Sequence, residues 1–227
     1  NYEVFSMKRL LIYVLTIILT VSISGCNPSS DTAVKLDSSE ISELRKDYPV
    51  YDKYPPTGIW LHPKPLDVAF KVKDEPKIVF VGEIVGKDSY SVDLATDKNT
   101  PEEKVKTASG LKNFGLIKYN DYKIKVLEVW HGPKNLDEVI GLQNRVFENT
   151  DPFEVGRKGV FIAAKHTSKY KELDGKYGIV KYRYFYLTED NYILSPVSDK
   201  NYNKFSGFSK RSFKSQLLDI VKEAEKK

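Results

Sequence analysis

Apolar and polar positions along the chain fall into three regimes. The first is a block: Leu10 to Ile23 is almost wholly apolar and follows Lys8 and Arg9. It has no polar face, so it does not read as a surface helix, and it is short for a membrane span, which needs roughly 20 apolar residues. The second regime, Asn27 to Glu40, is small and polar without a period, as in a flexible tether. The third fills the rest of the chain, where apolar residues recur mostly every second position.

Within the third regime the pattern predicts particular elements. Asp37 and Glu40 have capping-box spacing, and Ile41, Leu44 and Tyr48 share one helical face. Tyr48 to Pro65 is dense in Pro and Tyr, so it reads as an extended segment packed by Trp60 and its tyrosines. Pro76 to Gly86 is a β-branched run, continued by Ser89 to Leu94. Thr100 as N-cap, Pro101 at the first helical position and Gly110 past the end predict a helix. From Asp121 to Asn135, Tyr122, Ile124 and Val126 alternate with polar residues. The phase then flips to Leu127 and Val129, which predicts a bulge or a change of buried face. Asp137 to Phe147 is a weaker strand and Arg157 to His166 a stronger one. Lys176 to Pro196 reads as a hairpin turning at Glu189, Asp190 and Asn191. Ser209 caps a closing helix with an apolar stripe of Phe213, Leu217, Val221 and Ala224. About five strands, one inserted helix and one terminal helix predict a mainly β domain of the small-barrel type.

Charge and composition narrow the classes. The net charge is +5, falling to +4 without Glu3, Lys8 and Arg9, which is too mild for a nucleic-acid footprint. Six of the 36 basic residues are Arg, and the bias to Lys, Asn, Ile and Tyr suggests an AT-rich, low-GC Gram-positive source. The one cysteine is Cys26, in Ile23-Ser24-Gly25-Cys26. Aliphatic, small, small, cysteine after a basic and apolar leader resembles a bacterial lipobox. The resemblance implies cleavage between Gly25 and Cys26 and a diacylglycerol on the Cys26 thiol, and two acyl chains anchor stably where one does not. The organisation expected is therefore a signal peptide over 7–25, a polar tether over 26–47 and one β domain over 48–227. Asn1 to Ser6 fit neither n-region nor tether and are set aside as lying upstream of a start at Met7. With Cys26 acylated, no thiol remains for a disulfide, a nucleophile or a metal.

Candidate chemistry is sparse. His62, His131 and His166 lack metal-ligand spacing, so neither a metal site nor a cofactor is expected. Ser206 to Lys210 departs from a nucleophile elbow at Lys210, and no phosphate-binding loop is present. Nothing singles out a pair of carboxylates, so no catalytic residue is assigned. Tyr182, Tyr184 and Tyr186 alternate along one segment and are the candidate ligand-stacking residues. Cross-strand packing, or a sheet face covered by the terminal helix, is the preferred reading of that stripe.

Val81-Gly82-Glu83-Ile84-Val85, Tyr122 through Gly132, and Val155-Gly156 through Ile162, followed by a hairpin and a closing helix, resemble the bacterial relatives of the netrin-like module. That module is the OB-type barrel also used by tissue inhibitors of metalloproteinases. The match covers about Lys77 to Leu194 and implies an OB-fold-like barrel. It carries over no functional residue, because those inhibitors use an N-terminal cysteine and disulfides that this chain lacks. The function expected is a lipid-anchored binding module on the extracytoplasmic face of the cell membrane, for an envelope protein or wall polymer and not for nucleic acid. The alternatives are a small envelope hydrolase or a structural protein without a ligand.

Overall fold

A computed structural model describes residues 35–51, 65–71, 77–94, 101–110, 115–144, 152–179 and 181–226. Cys26, the apolar block, Trp60 and His62 lie outside them. The described chain is mainly β. Its elements are α1 (Ser38–Leu44), α2 (Leu66–Phe70), β1 (Lys77–Asp93), α3 (Pro101–Ser109), β2 (Leu116–His131), β3 (Glu138–Asn144), β4 (Lys158–Lys165), β5 (Tyr177–Gly178), β6 (Tyr184–Leu187), β7 (Ile193–Leu194), α4 (Lys200–Asn203) and α5 (Lys210–Glu225). No helix among the described residues is long and apolar enough to cross a membrane.

Five strands close a ring of hydrogen-bonded neighbours in the order β1-β2-β3-β5-β4, and β4 returns to β1. All contacts are antiparallel except the short parallel one between β3 and β5. β5 and β6 lie in line along β4 as one interrupted strand. Three steps along β4, from Ala164 to Phe161, face six along the partner, from Gly178 to Tyr184. The surplus is taken up by a 3-10 turn over Lys181–Arg183. β7 extends the sheet beyond β6.

β1 is one continuous strand of 17 residues. Its register with β2 shifts three times, and the unmatched residues are Trp130 and Leu127 on β2 and Val85 on β1. Leu127 marks the flip in polar phase, so the break in alternation corresponds to a bulge. Bulged strands bend and twist more strongly, as a closing sheet requires.

The period-two pattern sorts side chains into two cores. Into the ring point Ile78, Phe80, Ile84, Tyr122, Ile124, Val139, Phe161, Ala163, Tyr184 and Tyr186. On the outer face Val79, Val81, Val160, Ile162, Phe185 and Leu187 meet α2 and α5. The first half of β1, up to Ile84, and most of β4 and β6 are thus buried on both faces, which is why they read as apolar runs. A third, small cluster of Val92, Leu142 and Leu173 sits with Tyr90, Tyr119 and Tyr170.

α5 docks as its stripe predicts, burying Phe213, Leu217, Val221 and Ala224, with Ser209 Oγ accepting from the Ser212 amide at 3.3 Å. α1 carries the predicted capping box: Asp37 accepts from the Ser39 and Glu40 amides, and Glu40 from the Asp37 amide. The compact unit begins at Lys35. The Leu36 amide bonds the Gly207 carbonyl at 2.9 Å. Arg45 donates to the Ser195 carbonyl at 2.7 Å, Ser206 Oγ at 3.0 Å and Asn203 Oδ1 at 3.1 Å.

Candidate functional site

The tyrosine stripe is part of the core. Tyr184 and Tyr186 are each 1% exposed. Tyr184 packs on Phe153 and Phe161, with ring centroids at 5.0 and 4.9 Å, and donates to the Lys158 carbonyl. Tyr186 donates to the Pro49 carbonyl at 3.1 Å. Burial pushes both hydroxyls well above the ordinary tyrosine range. Tyr182 belongs to the 3-10 turn and packs against Tyr202, on the outer core. The three rings therefore do not form one stacking face. The turn breaks the alternation on which that reading rested, and the rings of Tyr184 and Tyr186 are already covered by protein.

What the structure does open to solvent nearby is a groove of about 670 Å³. One wall is the turn before β4, held where the Gly156 amide bonds the Ile84 carbonyl and the Ile84 amide bonds the Arg157 carbonyl. Gly156 has φ 89°, a left-handed value that suits glycine. The other wall is the β6–β7 turn, where Asn191 takes φ 62° and the Asn191 amide bonds the Thr188 carbonyl. Asparagine is among the few residues that adopt this conformation readily. Tyr48, from the segment after α1, forms the third side.

Arg157 organises the groove. Its guanidinium lies 5.0 Å from the Tyr48 ring centre and 5.6 Å from that of Tyr186. It donates to the Asp47 carbonyl at 2.6 Å and to Glu154 Oε2 at 2.5 Å. Lys158 and Glu189 are exposed on the opposite walls. Burial raises the Tyr48 hydroxyl above its usual range, with the Arg157 charge opposing. The groove thus offers both signs of charge, an aromatic edge and backbone polar groups.

Elsewhere Tyr90, Asp121 and Lys176 form a cluster on the outer face. Tyr90 Oη donates to Asp121 at 3.0 Å, Lys176 donates to Tyr90 Oη at 2.9 Å, and Lys176 pairs with Asp121. All three are tied to one another and fix the 168–176 loop over the third cluster. His131 meets Glu225 at 3.2 Å, and His166 is exposed. Among the described residues no group of His, Cys, Asp and Glu could hold a metal. Compared with known proteins, the chain matches no family model and no curated sequence.

Alternation could not foresee the groove. It is built by two turns and a segment over 100 residues away, and the only local signals were Gly156 and the turn at Asn191.

Proposed function

We propose that this chain is a lipid-anchored, extracytoplasmic, non-catalytic binding module built on an OB-type, netrin-like barrel. The leader and Ile23-Ser24-Gly25-Cys26 support the anchor. The five-strand ring with its parallel β3–β5 contact supports the barrel reading. So does the position of the family-like residues: Val81 to Val85 on β1, Tyr122 to His131 on β2, and Val155 to Ile162 leading into and along β4. Gly82 agrees, since a Cβ there would lie 2.6 Å from Ile124 Cγ2, a close approach that glycine allows.

The observation that carries the binding reading is the open groove around Arg157, whose walls carry both signs of charge and an aromatic edge. Its ligand is an envelope protein segment able to pair with Lys158 and Glu189. The test immobilises the full chain in detergent and presents solubilised envelope proteins and purified wall polymer. Retention of a defined protein that is lost in the Lys158→Glu, Glu189→Lys double variant supports the groove. Retention of polymer alone moves the ligand class to the wall, cleaved polymer makes the chain a hydrolase, and no retention overturns binding. A parallel arm follows the anchor, where Cys26→Ala abolishes labelling by a fatty-acid analogue. Normal labelling of that variant would remove the anchor and leave the groove standing.

A further inference from the structure

We infer, resting on the groove as the binding site, that Arg45 is its positioning residue: Arg45 holds the Tyr48 wall in place, so that filling the groove and docking residues 35–51 are one linked equilibrium. Arg45 does not itself line the groove. Two of the walls are turns fixed by the sheet. The Gly156 amide bonds the Ile84 carbonyl in one, and the Thr188 amide bonds the Tyr192 carbonyl in the other. The third wall, Tyr48, arrives on a segment with less hold of its own. From Asp37 to Tyr51 no residue is buried, and α1 has seven residues, too few to be stable alone. Few buried contacts put a segment at the low end of local stability.

Tyr48 nevertheless meets both turns. Its ring centre lies 5.0 Å from the Arg157 guanidinium, and the carbonyl of the preceding Asp47 accepts from Arg157 at 2.6 Å. On the other side the Glu189 backbone amide faces the Tyr48 hydroxyl oxygen as a donor. Withdrawal of residues 47–48 therefore removes one wall and uncovers polar groups on the other two.

Arg45 holds Tyr48 from behind. Its Nη1 donates to the Tyr48 carbonyl at 3.2 Å and to the Ser195 carbonyl at 2.7 Å. Its Nη2 donates to Asn203 Oδ1 at 3.1 Å and to Ser206 Oγ at 3.0 Å. Ser195, Asn203 and Ser206 do not line the groove, and Ser195 and Ser206 are buried. The rigid guanidinium fork thus clamps the backbone of a groove residue to a fixed part of the domain. An occupant that touches Tyr48 and one of the turns has its full set of contacts only in the docked form. It favours docking by the factor by which docking favours it.

Amide exchange of the full chain in detergent, with nothing added, tests the positioning. Arg45→Ala should speed exchange at Glu189 by the same factor as at Ile41 and Tyr48, about tenfold or more, although Glu189 lies on the far wall. Gly156 and Asn191, whose amides bond the Ile84 and Thr188 carbonyls, should exchange as in wild type. In Tyr48→Phe the Glu189 amide lacks its acceptor, and Arg45→Ala should add nothing there. Unchanged exchange at Glu189 beside a faster Ile41 would overturn the positioning role, because the segment would open without the groove. Equal acceleration at Gly156 and Asn191 would overturn it too, as a general loss of structure. The linkage is read by adding the solubilised envelope proteins of the retention assay. Their binding should slow exchange at Ile41 and Tyr48, and binding that leaves both unchanged would overturn the linkage. Absence of binding would remove the groove reading instead, and the comparison at Glu189 would still decide the role of Arg45.

Discussion

Gly159 opens β4 beneath the ring of Tyr184. A Cβ at this position would stand 2.1 Å from Tyr184 Cε2 and 2.6 Å from the Phe185 carbonyl oxygen. The first contact is with a ring fixed by Phe153 and Phe161 and the second is with backbone, so neither yields easily. Gly159→Ala should destabilise the protein by about 3 kcal/mol, the upper range for overpacking. The urea midpoint should fall at unchanged slope, and a midpoint within error of wild type would show that the ring moves freely. The same ring shows the limit of reading residues singly. Alternation placed Tyr182, Tyr184 and Tyr186 on one face, and for Tyr184 and Tyr186 that is correct. Tyr182 departs because a 3-10 turn intervenes, and the turn is set by the register against β4 rather than by its own residues. Nor does spacing distinguish an exposed stripe from a buried one. The covering residues, Phe153 and Phe161, come from elsewhere in the chain.

Elements that pack by their own periodicity were legible; their junctions were not. The stripe of α5 was readable because a helix face needs only its own spacing. What fixes α5 against β2 is a three-residue contact across 86 positions. Glu128 accepts from Lys214 at 2.6 Å and from Lys210 at 2.7 Å, at the turn where the helix begins. In sequence Glu128 is only the polar residue after the phase flip; the bulge at Leu127 sets its direction. Partial burial raises the Glu128 pKa, but the two lysine hydrogen bonds together outweigh it and hold the carboxyl below its ordinary value. A carboxylate depressed in the folded state stabilises above its unfolded pKa, and the contribution fades as pH falls through the folded one. Glu128→Gln should therefore lower the melting temperature at neutral pH, and the gap from wild type should close below about pH 4. The pair is over a third exposed, so the gap should also shrink in high salt. A gap constant from pH 7 to pH 3 would assign the effect of the variant to packing.

At the scale of the whole molecule, the N-terminal segment belongs to the domain. Composition carries no trace of the segment's partners, one of them 150 positions away. Two of the six arginines add to the Leu36–Gly207 backbone bond and to the packing of Ile41, Leu44, Tyr48 and Tyr51 against the inner core. Arg45 holds the Ser195 carbonyl, Ser206 and Asn203, and Arg157 holds the Asp47 carbonyl. Arg45→Ala removes the donors for three long-range acceptors, each worth about 1 kcal/mol. The helix it anchors has seven residues and is marginal alone. Loss of the clasp leaves residues 35–51 held by the packing of Ile41, Leu44, Tyr48 and Tyr51 alone and should make them open more often, while the ring stays folded because neither core uses Arg45. Amide exchange should accelerate at least tenfold at Ile41 and Tyr48, whose N–H groups bond the Asp37 and Leu44 carbonyls. Phe161 and Ile162 in β4 should exchange as in wild type. If both regions accelerate together, the segment and the ring unfold as one unit, and residues 35–51 are a structural part of the sheet's support rather than a docked strap.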